Sequence, residues 1–237
     1  MNPADLGISR VFYKRRTSMG RFFNYENPVF QFLNKLVDCV TLSLFWVIFS
    51  LPIFTIGTST TALYYTVNKV VRQNRSHVWR EFLVSFKANF KQSTIIWLCF
   101  MMLCMAMGVN AYFLYLFYQA KQLPIVFFIV ILCFFALTIL CGIYIFPYIA
   151  RFQNCTKEVI TNCLMICIGN LHWSILLLVL WAIAAYIFIA GFGFVVFMVV
   201  PTGYMYMSSL VLEKIFKKYM SPEDLKREQL VNEEEEV

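Results

Sequence analysis

Charge is what this sequence has least of. Asp, Glu, Lys and Arg make up 14% of its 237 residues, against about 25% in a soluble domain. A chain so poor in charge cannot cover a water-facing surface. The shortage is also patterned, because no formal charge occurs in 39–68, 92–120, 122–150 or 159–212. Each of these runs exceeds the roughly 20 apolar residues that a membrane-crossing helix needs. A soluble enzyme, a secreted disulfide scaffold and a nucleic-acid-binding domain are excluded as readings.

Groups that do chemistry are scarce as well. Only two histidines occur, His77 and His172. There is no HExxH, no GxSxG, no P-loop and no aspartate cluster for metal–phosphate chemistry. The Gly191-Phe192-Gly193 stretch has no preceding strand and is no nucleotide fingerprint. The eight cysteines form no CxxC pair. Cys163 and Cys167 share a helical face, but no His, Asp or Glu completes a zinc set, so the thiols are expected to pack as small hydrophobes. No catalytic, cofactor-binding or metal-ligating residue is assigned. The chain is expected to be non-enzymatic and to bind no nucleotide.

What is present is apolar bulk: 60% hydrophobic and 18% aromatic residues. The expected fold is all-α, a polytopic helical membrane bundle with five to six membrane-embedded helices and basic amphipathic cytoplasmic segments. The net charge of +7 is not a nucleic-acid footprint, because Lys and Arg lie almost wholly outside the apolar runs. Three regions are expected: a polar basic extension over 1–18, a transmembrane domain over 19–212, and a basic-then-acidic, largely disordered cytoplasmic tail over 213–237. Residues 1–18 lack the apolar core of a signal peptide.

Along the chain, Asn27-Pro28 signals a helix start. The stretch from Leu33 to Val71 is too long for one ordinary span and carries Pro52 at its midpoint. Either one helix ends near Gly57, or the chain forms a hairpin that turns near Pro52. Six basic residues lie in the N-terminal part up to Lys35 and six in 69–91. A hairpin keeps both groups on the cytoplasmic side, as the positive-inside bias favours. Residues 93–118 then form a span, Lys121 and Pro124 mark an outer turn, and 125–149 return. Residues 171–190 cross outward and 194–212 cross back, bent at Pro201 and Gly203. Both termini are expected in the cytoplasm, at a cell membrane.

The water-side segment with most to offer is Ser76–Lys91. Val78, Trp79, Phe82, Leu83, Phe86 and Phe90 recur at helical spacing, with Arg80, Lys87 and Lys91 opposite. Such a helix can rest on anionic lipid or dock a partner protein. The docking set is Trp79, Arg80, Phe82, Phe86, Lys87, Phe90 and Lys91. Inside the apolar runs ionisable groups are nearly absent. Asp38 follows Lys35 at i,i+3 and reads as a boundary pair; His172 beside Trp173 reads as interfacial. The remaining polarity is neutral: Thr41, Ser43, Ser50, the 55–61 cluster, Thr66, Asn68, Asn110 and Thr138. These groups either join helices by hydrogen bonds or line a path for a neutral solute.

The stretches MGRFFNYENPVFQFLNKL (19–36), SLPIFTIGTSTTALYYTVNKVVR (50–72), FKANFKQSTIIW (86–97) and NCLMICIGNLHWSILLL (162–178) resemble the YesL-like family of bacterial membrane proteins over about residues 19–212. That family has no established activity. The resemblance implies genes beside carbohydrate ABC importers, so the implied role is an accessory one in carbohydrate uptake. The partners are then the lipid bilayer and a carbohydrate ABC permease. The alternative is a self-contained channel or facilitator for a neutral polar solute.

Overall fold

The first described helix covers Pro28–Ser50 (α1), and the fixed φ of Pro28 is compatible with it. The computed structural model describes residues 28–72, 77–119, 126–152, 154–190 and 194–220, and among these all regular structure is helical. The expected turns at Lys121–Pro124 and Gly191–Gly193, the extension over 1–18 and the acidic end of the tail fall outside the described residues. The chain divides into two compact units, Met1–Asp38 and Cys39–Val237. In the first, residues 28–38 are helical, and Lys35 and Asp38 make no ion pair within 4 Å, which fits the small worth of exposed pairs.

In the second unit the remainder of α1 ends before Pro52. A short 3-10 turn, Ile53–Thr55, leads into α2 (Ile56–Thr66), whose last residues widen into a π-type segment, Val67–Arg72. Thr55 closes the turn by donating to the carbonyls of Phe49 and Pro52 at 2.6 Å each. Across it Trp46 Nε1 donates to Thr60 at 3.2 Å. The chain therefore doubles back where Pro52 predicts.

Helix α3 is one unbroken element, Val78–Gln119, of 42 residues, about 63 Å long. The basic amphipathic segment and the span after it, read above as two elements, are continuous. No proline and only one glycine lies in this stretch, so nothing interrupts the helix. α3 runs antiparallel to α2 over its first half. Trp97 Nε1 donates to Ile53 O at 2.7 Å, Thr94 and Thr58 hydroxyls lie 3.0 Å apart, Ser93 and Thr61 3.1 Å, and Lys69 meets Glu81 at 3.2 Å. Gly57 permits this approach, since a Cβ there would stand 2.7 Å from both Phe146 Cε1 and Trp97 Cβ.

α4 (Val126–Arg151) returns along α3, pairing Thr138 with Met107, Gly142 with Phe100, and Phe146 with Trp97. α5 (Thr156–Gly169) starts with a capping box in which the Cys155 N–H donates to Glu158. A single residue, Asn170, separates it from α6 (Leu171–Ile189). α7 (Phe194–Tyr219) contains Pro201 and passes through the expected boundary at 212. Leu212, Ile215 and Phe216 are buried, so its last turns belong to the core and not to the tail. Among the described residues, four helical stretches are long and apolar enough to cross a membrane: Leu33–Ser50, Val78–Tyr118, Ile129–Arg151 and Leu171–Ile189.

Candidate functional site

The helical periodicity of Ser76–Lys91 is real, but protein covers its apolar face. Phe82 is 0% exposed and sits among Phe45, Phe49 and Phe86, with ring centroids 5.5–6.2 Å apart. Phe86 is half-buried and packs against Phe49 at 5.0 Å with the rings tilted by 59°. Ser85 and Glu81 also face inward. The seven-residue docking set is therefore divided. Phe82 and Phe86 pack α3 against α1, Phe82 fully buried and Phe86 in part. Trp79, at 61% exposure, with Arg80, Lys87, Phe90 and Lys91, faces outward. Among the described residues none of these three cations has a carboxylate within 4 Å.

Beside this face lies a polar junction that sequence reading missed. Arg151 Nη1 meets Glu213 Oε2 at 2.8 Å, with side chains 13% and 7% exposed. Glu213 Oε1 accepts hydrogen bonds from Tyr64 Oη at 3.0 Å and Asn68 Nδ2 at 2.7 Å. The carboxylate thus ties α7 to α4, α2 and the π-type segment, and a buried charge needs such a set of partners. Around it, Tyr148 Oη accepts from Asn154 and Asn162, and Asn170 Nδ2 donates to Tyr219 Oη. The available signal was Tyr64 and Asn68 four residues apart on one helical face, with Arg151 ending one apolar run and Glu213 following another.

Lys69, beside Glu81, titrates above its ordinary range. Burial pulls it down, but the hydrogen bond to Glu81 and the attraction of Tyr65 outweigh that. Burial pushes the Cys163 and Cys167 thiols up, so both stay protonated and poorly nucleophilic. All eight cysteines are free, and no group of three or more metal-binding side chains occurs among the described residues.

The neutral polar groups mostly pair with one another. Ser43 and Thr202 hydroxyls lie 2.6 Å apart, Tyr144 and Ser174 2.9 Å, and Thr58 and Thr61 are committed to Thr94 and Ser93. Asn110 is exposed on α3 and donates to its own helix at Ala106 O.

No curated protein and no solved structure matches the chain. Residues 39–111, from the middle of α1 through most of α3, match the model of a family described as a protein of unknown function, DUF624, the family that includes YesL-type proteins.

Proposed function

We propose that this is a non-enzymatic, multi-pass membrane protein that serves as an accessory factor to a membrane transporter. It engages that partner through the outward face of the first turns of α3. The observation that carries the reading is the exposed Trp79 with Arg80, Lys87 and Lys91 on a helix whose opposite face is fixed by Phe45 and Phe49. A rigid, cationic, aromatic-bearing face of this kind suits recognition of an acidic cytoplasmic surface. A carbohydrate ABC permease is the partner that the YesL-like resemblance supports.

In this reading four helices cross, a hairpin of two more lies at the cytoplasmic boundary, and both termini are cytoplasmic. α3, α4, α6 and α7 cross, while α1 and α2 form a hairpin that enters and leaves on one side. The turn at Ile53 lies beside Trp97, 22 residues from Gln119. That is about 33 Å of helix, already the roughly 30 Å of a hydrocarbon core. Such a hairpin leaves the basic residues before Leu33 and after Val67 on the same side, in line with the charge bias.

The test is co-purification of a sugar ABC permease from native membrane in mild detergent, with wild type and with Lys87→Glu/Lys91→Glu. Recovery with wild type and loss with the variant is expected. Failure of the wild-type protein to recover a permease that is present would overturn the reading. Sugar flux through the purified protein in tight liposomes would instead favour a self-contained facilitator.

A further inference from the structure

A cavity of about 480 Å³ opens between α1, α2, α3, α4, α6 and α7, within the roughly 300–1,000 Å³ of small-molecule sites. Its wall is almost wholly apolar, and among the described residues no Asp, Glu, Lys, Arg or His contributes to it. Three of the chain's five tryptophans, Trp46, Trp97 and Trp181, line it, as does Tyr204. The indole N–H groups of Trp46 and Trp97 are already used, on Thr60 and on Ile53 O. Ser208, also in the wall, donates to Met205 O. The Tyr204 hydroxyl and the Trp181 N–H donate to no group among the described residues. Both belong to the α6–α7 pair. Two prolines, Pro147 and Pro201, stand in the same wall, where each interrupts its helix's hydrogen-bond ladder.

We infer that this cavity binds a neutral, membrane-soluble molecule with an aliphatic body and one carbonyl oxygen, which accepts from Tyr204. Absence of charge in the wall disfavours an ionised ligand, because nothing would offset its desolvation. The apolar wall matches hydrocarbon, and the two uncommitted donors ask for an acceptor that the protein does not supply. A polar solute such as a sugar would leave most of its hydroxyls unmet. The site is independent of the α3 docking face, and either can fail without the other.

The experiment uses the full-length protein in detergent, with methyl 12-bromododecanoate as probe and 1-bromododecane as its carbonyl-free match. Bromine quenches nearby tryptophans, and the three in the wall report occupancy. The expected result is saturable quenching by the ester at lower concentration than by the alkane. Ala185→Phe, which adds bulk to the wall, should abolish the saturable phase. Tyr204→Phe keeps the ring and removes only the donor, so it should weaken the ester between about 2-fold and about 12-fold and leave the alkane unchanged. Quenching that rises linearly without saturation, or ester and alkane binding alike with no effect of Tyr204→Phe, overturns the inference.

Discussion

Removing Arg151 should cost far more than removing it together with its partner. In the wild-type protein Glu213 is 7% exposed and holds Arg151 at 2.8 Å, with Tyr64 and Asn68 on its other oxygen. Arg151→Met leaves the carboxylate buried with two neutral donors, and stranding a buried charge costs about 3–5 kcal/mol. Glu213→Gln removes the carboxylate that Arg151 meets at 2.8 Å and should destabilise as well. The pair Arg151→Met/Glu213→Gln buries no charge, and the glutamine can still accept from Tyr64 or Asn68. It should recover most of the loss, giving a coupling of at least about 2 kcal/mol. Reversible unfolding in mixed micelles, followed by circular dichroism for the four proteins, measures the cycle. Additive single losses, or an Arg151→Met loss below about 1 kcal/mol, would refute the claim that this pair is a desolvated, mutually dependent junction.

Phe82→Ala should destabilise by about 3–5 kcal/mol, whereas Trp79→Ala should stay within about 0.5 kcal/mol in the same assay; equal effects would mean that the two faces of α3 are assigned wrongly. Gly57→Ala should cost about 1–3 kcal/mol through overpacking against Trp97 and Phe146, while Gly108→Ala, whose Cβ meets nothing within 4 Å, should be neutral or stabilise by up to about 1 kcal/mol. Lys69 is raised above its ordinary 10.5, so its contribution is fully present below that pH and is lost as pH rises through the higher folded value. A stability profile over the alkaline range should therefore slope downward, and Lys69→Met should make that slope shallower without abolishing it, since the buried Cys163 and Cys167 thiols contribute in the same direction.

Much of the fold was legible because the signals were local. Pro28 lies in the first turn read for α1, Pro52 marks the reversal, and the uncharged run 122–150 delimits α4 closely. The limits lie in what a face touches. Spacing of Phe82, Phe86 and Phe90 says that one side of a helix is apolar, and it is silent on whether lipid, a partner or the same chain covers it. Here Phe45 and Phe49 do so for Phe82 and Phe86. Glu213 was passed over because a charge next to an apolar run reads as an anchor, and its partners Tyr64 and Asn68 are 149 and 145 residues away. Asn110 looked like one stop on a polar path, but the helix turns it outward. The uninterrupted α3 was missed because a change from amphipathic to apolar pattern was taken for a change of element.

The length of α3 has a mechanical side. Trp97 stands near its midpoint and is gripped there by Ile53 O and the Phe146 ring, with arms of about 29 Å and 33 Å to either end. The arm before Trp97 is held against α1 and α2 by Phe82, Phe86 and Glu81, and no hinge separates it from the arm beyond, so a displacement of one half is carried to the other with no change in helical structure.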